Sequence, residues 1–294
     1  MYFQDFFRDV TNALRPTTAK VWFVNSVTGN NNLSGRTPDK PKLTIAATVA
    51  LAAAGDTIYI KGSFNEPVTC SLAGVSFIGV GTGPKQAQWT APTAAGSWCL
   101  KIAANYVRVE NIYFKPVIYT SSGVPSGIYL SGANWAVIKG CRFQGQTGSY
   151  KAIYSPVCDS DNVTIEDNQF YYMNTATHGA AIYGVEAGGL SYSGWQILNN
   201  VFESCVTAVD INGRVCVVKG NVFGGLTGIT AASAVGNVCT TKLDLSGTSS
   251  GGNRVVGNWF GLTYSHSGGY QEAASGDDWV GNYIVGGLTT AVPS

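Results

Sequence analysis

Apolar and polar residues alternate in short runs that end on an aromatic residue, and the run repeats. Aligned on the last residue, the copies are Val107–Phe114, Ala136–Phe143, Val163–Phe170, Trp195–Phe202, Cys216–Phe223 and Asn253–Phe260, with a degraded copy ending at Ile284. Within each, Val109, Ile138, Ile165, Ile197, Val218 and Val255 point one way, while Glu110, Lys139, Glu166, Leu198, Lys219 and Val256 point the other, the period of a strand. Three residues before the aromatic stand Asn111, Gly140, Asp167, Asn199, Gly220, Gly257 and Gly281. Only Gly, Asn and Asp occur there, the residues that enter the left-handed backbone region at least cost. The next position carries Asn in five consecutive copies, Asn168, Asn200, Asn221, Asn258 and Asn282. The pattern predicts side-chain amides stacked along an axis, each bonded to the next.

The aromatic positions recur at intervals of 21 to 37 residues. A unit of that length cannot bury its own apolar face and must stack on its neighbours. A second strand recurs between the first set, at Gly127-Ile-Tyr-Leu, Ala152-Ile-Tyr-Ser, Ala181-Ile-Tyr-Gly, Ala208-Val-Asp-Ile and Gly228-Ile-Thr-Ala. Two strand types with no helical segment between them exclude a βαβ sheet. The expected fold is all-β: a single-stranded parallel β-helix, right-handed by the general chirality of parallel crossovers.

The opening Trp22-Phe-Val-Asn-Ser-Val-Thr-Gly, running to Arg36-Thr-Pro-Asp-Lys-Pro, then Leu43-Thr-Ile-Ala-Ala and Gly55-Asp-Thr-Ile-Tyr-Ile, resembles that of pectate-lyase-like right-handed β-helix proteins. That opening is common in bacteriophage tailspikes, virion surface proteins and secreted polysaccharide lyases. The resemblance covers residues 20 to about 285 as architecture, and it implies a fold more than an activity.

Residues 1–19 lie outside the repeat and read as an N-terminal helical arm. Phe3, Phe6, Phe7, Val10 and Leu14 fall at helical spacing and Pro16 ends the segment. The arm either docks on another protein or on sister subunits, or covers the open end of the core. It lacks the basic start, apolar centre and cleavage site of a signal peptide. Residues 20–55 are expected to form an N-terminal cap, with a helix over Lys42–Ala54 hiding the first strand edge. Residues 56–285 form the coils and 286–294 a tail. The segment 82–98 reads as an excursion from the coil.

Composition narrows the function. Hydrophobic residues make up 45% and charged residues 12% of 294 residues, with 37 Gly, which suits one long core with many turns. A net charge of +1 offers no case for nucleic acid, and no apolar run is long enough for membrane insertion. Seven Cys at positions 70, 99, 141, 158, 205, 216 and 239 show no pairing or metal-ligand spacing. They read as reduced core residues of a protein assembled in a host cytoplasm. No metal or cofactor is expected.

Two features could carry chemistry. Tyr129, Tyr154 and Tyr183, followed by Asp210 and Thr230, would line up on the outer face of the second strand type. The row reads as a glycan groove, as the contact face of a homotrimer, or as a solvated ladder. Glycoside hydrolysis needs two carboxylates about 5 to 9.5 Å apart, and Asp159, Asp161, Glu186 and Asp210 are the weak candidates. His178 and His266 stand alone. Two functions of different class follow. One is a bacteriophage virion structural protein, a trimer on the particle surface attached to capsid or tail proteins through residues 1–19. Capsid cement or decoration comes first, and a tail spike or fibre part binding host glycan second. The other is a polysaccharide lyase or glycoside hydrolase acting on a surface polysaccharide.

Overall fold

All seven residues of the recurring Gly/Asn/Asp position adopt left-handed backbone: Asn111 (φ 55°), Gly140 (60°), Asp167 (57°), Asn199 (54°), Gly220 (66°), Gly257 (60°) and Gly281 (61°). Each turns the chain sharply from one strand of a coil into the next. In the computed structural model, which describes residues 19–83, 86–90, 98–115, 126–145, 151–157, 159–172, 180–184, 192–203, 205, 207–224, 241–244, 252–260, 270–271, 277–284 and 287–290, the strands stack into three long sheets. The chain is a right-handed parallel β-helix.

Sheet I holds ten strands from Val21–Asn25 to Asp278–Val280, including Arg108–Glu110, Val137–Lys139, Thr164–Glu166 and Gln196–Leu198. Sheet II holds the strands just after the sharp turn, including Ser63–Asn65, Gln88–Thr90, Tyr113–Lys115, Arg142–Gln144, Gln169–Tyr171 and Val201–Glu203. Sheet III holds eight strands, from Val68–Cys70 and Trp98–Ile102 through Ser126–Leu130, Lys151–Tyr154, Ala180–Gly184 and Thr207–Ile211 to Thr241–Asp244 and Tyr270–Gln271. Pairing within the three sheets is parallel, apart from the final strand Gly287–Thr290, which turns back antiparallel on Tyr283–Ile284.

Register converts the repeat into rows. Ile138 sits between Val109 and Ile165, and Phe143 between Phe114 and Phe170, all fully buried. Rings from Phe114 to Phe260 stack with centroids 4.9–5.0 Å apart and planes within 9°. At the turn, Asn168 Nδ2 donates to Asn200 Oδ1 at 3.0 Å, Asn200 to Asn221 at 3.0 Å, Asn221 to Asn258 at 3.0 Å, and Asn258 to Asn282 at 2.9 Å. Each of those oxygens also accepts the backbone N–H one coil earlier, and each Nδ2 also donates to a sheet I carbonyl. The buried amides are satisfied on every coil, which burial demands. Cys141 takes the first place in the row, where its N–H donates to Asn168 Oδ1 at 2.9 Å.

The structure extends and corrects the repeat. The segment expected to be an excursion contains the strand Gln88–Thr90, and Trp89 is fully buried with its ring 6.0 Å from Phe114. Phe64 pairs with it in register. Phe64, Trp89 and Phe114 are each 25 residues apart, so two more coils continue the aromatic row. The strand after Thr207–Ile211 in sheet III is Thr241–Asp244, which places Asp244, and not Thr230, after Asp210. Residues 228–231 lie outside the described residues.

The helix at the start is shorter than expected, Ile45–Val49 instead of Lys42–Ala54. Lys42 is held in a bridge to Val24, and Thr44 caps the helix by accepting from Ala47 N–H. Glu66 accepts the next free donors, Ile45 and Ala46 N–H. Asp56, 1% exposed, gathers Trp22 Nε1 at 2.8 Å, Lys20 N–H at 2.7 Å and Ala53 N–H at 2.9 Å, so the opening residues Trp22 and Gly55-Asp form one bonded unit.

A second left-handed corner, between sheets III and I, has no such residue signature. Tyr106 (φ 62°), Trp135 (61°), Asn162 (56°), Gly194 (68°), Val215 (55°) and Gly252 (63°) occupy it. Neighbouring coils hold it by Asn105 Oδ1 to Asn134 N–H, Asn134 Oδ1 to Asp161 N–H and Asp161 Oδ1 to Ser193 N–H. Left-handed backbone costs about 1–2 kcal/mol for an ordinary residue. The stacked hydrogen bonds hold it there.

Candidate functional site

The outer face of sheet III carries a continuous run of aromatic and charged groups. Its strands break strict alternation. Cys99 and Leu100, Ala152 and Ile153, Ala181 and Ile182, and Ala208 and Val209 are consecutive buried pairs. The residues on either side of each pair then share the outer face. One outward row is Lys101, Tyr129, Tyr154, Tyr183, Asp210, joined in register strand by strand. The other contains Trp98, Ser126, Lys151 and Ala180.

The tyrosines do not stack face to face. Trp98 and Tyr129 lie 5.4 Å apart at 48°, Tyr129 and Tyr154 5.5 Å apart at 84°, and Tyr154 and Tyr183 5.9 Å apart at 51°. Two lysines lie on these rings. Lys101 Nζ sits 5.2 Å from the Tyr129 centroid and 5.5 Å from Trp98. Lys151 Nζ sits 4.2 Å from Tyr154 and 3.3 Å from Tyr183. Ser126 and Ala180, its register neighbours, are small and leave room for the lysine chain to lie across the rings. An ammonium over an aromatic face is attracted by the ring quadrupole, most strongly where water is excluded.

Lys151 is 7% exposed. Burial pushes its ammonium down to about 8, and the charge of Asp210 works in the opposite direction. Burial likewise raises Tyr129, Tyr154 and Tyr183, aided by Asp159 at Tyr129 and by Asp210 at Tyr183. Near pH 8 this face therefore holds a lysine poised between charged and neutral beside neutral phenols. It can bind an anion, stack a sugar ring, or accept a proton.

One pH dependence follows. The folded-state value of Lys151 lies below the ordinary 10.5, so the unfolded chain binds more protons between the two values. Taken alone, Lys151 makes stability rise as pH climbs from about 8 toward 10.5. The raised tyrosines act in the other direction above their ordinary value of 10.0, and the buried thiols of Cys70, Cys99, Cys141 and Cys216, raised from 9.0, do so from about pH 9, so the lysine's effect is read against a variant that lacks it. Denaturant midpoints of the parent should rise relative to those of Lys151→Met as pH climbs from about 8 to 10. A constant difference between the two profiles would place the lysine in water.

The remaining candidates scatter. Asp159 accepts from Ser160 Oγ at 3.1 Å and lies near Tyr129. Asp161 is engaged in the corner between sheets III and I. Glu186 lies outside the described residues, as do Phe3, Phe6, Phe7, Val10 and Leu14. Glu110, Lys139 and Glu166 line up on sheet I, with Lys139 paired to Glu166 and to Asp167. Cys70, Cys99, Cys141 and Cys216 are buried free thiols, and Cys205 is buried as well. Among the described residues no group of three His, Cys, Asp or Glu could hold a metal ion. No helix among them is long and apolar enough to cross a membrane. Lys151 escaped the sequence reading. Its signal is its position three residues before Tyr154, matching Lys101 three residues after Trp98.

No family model matches the chain, and no curated protein matches it by sequence. Solved structures do match its fold. An alginate lyase from Paenibacillus sp. str. FPU-7 superposes with a TM-score of 0.59 at 18% identity, over 82% of this chain and 92% of that one. The pectate lyase Pel9A gives 0.55 at 12% identity, over 92% and 78%. A pectin methylesterase from Aspergillus niger gives 0.55 at 14% identity, over 94% and 88%.

Proposed function

With the fold shared by polysaccharide lyases and a pectin methylesterase as premise, we propose that this protein is a polysaccharide-engaging β-helix of a bacteriophage particle surface. In this reading it is a homotrimer, tied to other virion proteins through residues 1–19, and it presents the outer face of sheet III to host glycan. It serves as a capsid decoration protein ahead of a tail component. The observation that carries glycan contact is the row Trp98, Tyr129, Tyr154 and Tyr183 with Lys101 and Lys151 laid on its rings. Rings supply apolar faces for sugar C–H groups, and the ammonium groups suit acidic sugars. The virion setting is supported by the resemblance of the opening, the reduced cysteines and the apolar arm.

The test is retention of the purified protein on polysaccharide from its host. Tyr154→Ala with Tyr183→Ala should weaken retention at least tenfold while leaving the fold intact. Equal retention removes glycan contact from this face. Mass spectrometry of purified particles tests the setting: copies comparable to the major shell protein indicate decoration, far fewer indicate the tail, and absence overturns the virion role.

One observation favours a second reading. A lysine near pH 8 beside neutral tyrosines can abstract the proton next to a uronate carboxyl, with a phenol protonating the leaving oxygen. The protein would then be a polysaccharide lyase. Release of unsaturated uronates that is lost in Lys151→Met identifies it. The hydrolase form instead predicts reducing ends lost in Asp210→Asn.

A further inference from the structure

The outer face of sheet II carries a second aromatic and cationic cluster, built on three successive coils. Tyr113 and Lys115 lie on the first, Arg142 and Gln144 on the second, and Tyr171 on the third. Two coils of about 4.8 Å and an offset of two residues along the strand would separate Tyr113 from Tyr171 by roughly 12 Å. Their ring centroids are 6.4 Å apart, so the two side chains lean together over the coil between them. The Tyr171 hydroxyl donates to the Tyr113 hydroxyl at 2.7 Å, and Tyr113 donates to Gln144 Oε1. Beneath this clasp, Arg142 Cζ sits 5.2 Å from one ring and 5.5 Å from the other, and Lys115 Nζ lies 5.0 Å from Tyr113.

The charge on this cluster is not balanced. Arg108 pairs with Glu110, Lys139 with Glu166 and Asp167, and Arg254 with Asp278. Among the described residues no carboxylate pairs with Arg142. Its Nε is shielded from solvent and has no hydrogen-bond partner, a deficit that native structures rarely leave without a reason. A guanidinium lying against two rings, with Nε unpartnered, is arranged to take a planar or tetrahedral oxyanion. Tyr172 stands at the edge of the cluster, 45% exposed and in left-handed backbone (φ 62°), with its ring 5.5 Å from Tyr171.

We propose that Arg142, clasped by Tyr113 and Tyr171 and flanked by Lys115, forms a second glycan site on sheet II that binds an anionic sugar substituent, a carboxylate or a sulfate. The proposal rests on the reading of the protein as polysaccharide-engaging, but on a face distinct from sheet III. Arg142 supplies the donors, Lys115 adds charge, and the tyrosines position the guanidinium and offer ring edges to the sugar.

Calorimetric titration of the full chain tests it, with an oligogalacturonate as the carboxylate probe, a heparin-derived oligosaccharide as the sulfate probe and a neutral cello-oligosaccharide as control. Arg142→Gln should weaken at least one acidic probe tenfold or more, with the neutral probe unchanged, and Lys151→Gln should leave that component in place. The probe affected identifies the substituent. Arg142→Lys keeps the charge and the chain if Arg142→Gln does not fold; it should still lose several-fold, because the fork is gone. Acidic probes that bind either folded variant as tightly as the parent overturn the site, as does a parent that binds neither. A loss seen only in Lys151→Gln overturns the sheet II site while supporting glycan contact on sheet III. Binding to host polysaccharide with no response to either acidic probe likewise removes the sheet II site and leaves the broader reading standing.

Discussion

Asn200→Ala should destabilise the protein by about 3–5 kcal/mol, since each buried polar group left without a partner costs about 1–3 kcal/mol. Asn200 is fully buried in the middle of the amide row. Its Oδ1 accepts Asn168 N–H at 2.9 Å and Asn168 Nδ2 at 3.0 Å, while its Nδ2 donates to Ile165 O at 2.9 Å and to Asn221 Oδ1 at 3.0 Å. Alanine removes all four bonds. It strands Asn168 N–H in a place no water reaches and leaves the Ile165 carbonyl and Asn221 amide short of a donor. Gln196→Ala, on the outward side of the same coil, should change stability by no more than about 0.5 kcal/mol. Denaturant midpoints of the two variants decide the matter, and equal effects would show that the amide row does not hold the turn.

Phe170→Ala should cost about 4 kcal/mol by loss of buried ring and creation of a cavity. Phe170 is fully buried, with its ring 4.9 Å from Phe143 on one side and 4.9 Å from Phe202 on the other, nearly parallel to both. Two ring contacts go at once, each worth about 0.5–1.5 kcal/mol beyond area burial. Because the sheets fix the coil spacing, the flanking rings cannot close the gap, so relaxation recovers little. Stability in a solenoid is a sum of coil and interface terms, so the loss should appear first as early exchange of the amides of the neighbouring coils. Hydrogen exchange that rises evenly over the chain would instead indicate a single cooperative unit.

The turn between sheets I and II was legible in the sequence because it permits so few residues. Left-handed backbone admits Gly, Asn or Asp in all seven copies, and the buried amide beside it is Asn in five of them, which exposes the rule. The corner between sheets III and I has the same backbone, yet it holds Tyr106, Trp135 and Val215. There the hydrogen bonds between coils override local preference, so no residue signature marks it. Trp89 was missed for a related reason. The core asks for a flat ring of the right thickness and takes Trp as readily as Phe, so identity changed while the 25-residue spacing held.

The candidate sites were less legible. Tyr129, Tyr154 and Tyr183 could be lined up from their shared place in the strand, since register follows from the repeat. Where Lys151 and Arg142 lie could not be read in advance. A polar outward residue is free to enter water, and only the surrounding side chains decide whether it does so. Lys151 is laid on Tyr154 and Tyr183 because Ser126 and Ala180 leave space beside it. Arg142 is enclosed because tyrosines two coils apart lean over it.

By itself, then, the sequence determined the coil, its sharp turn, the inward rows and the sense in which outward residues align, all consequences of strand period and of the few residues that tolerate left-handed backbone. The tertiary structure alone decided which outward side chains lose their water and meet. Those contacts join residues a coil or more apart, and desolvation is a property of the assembled surface rather than of any stretch of chain.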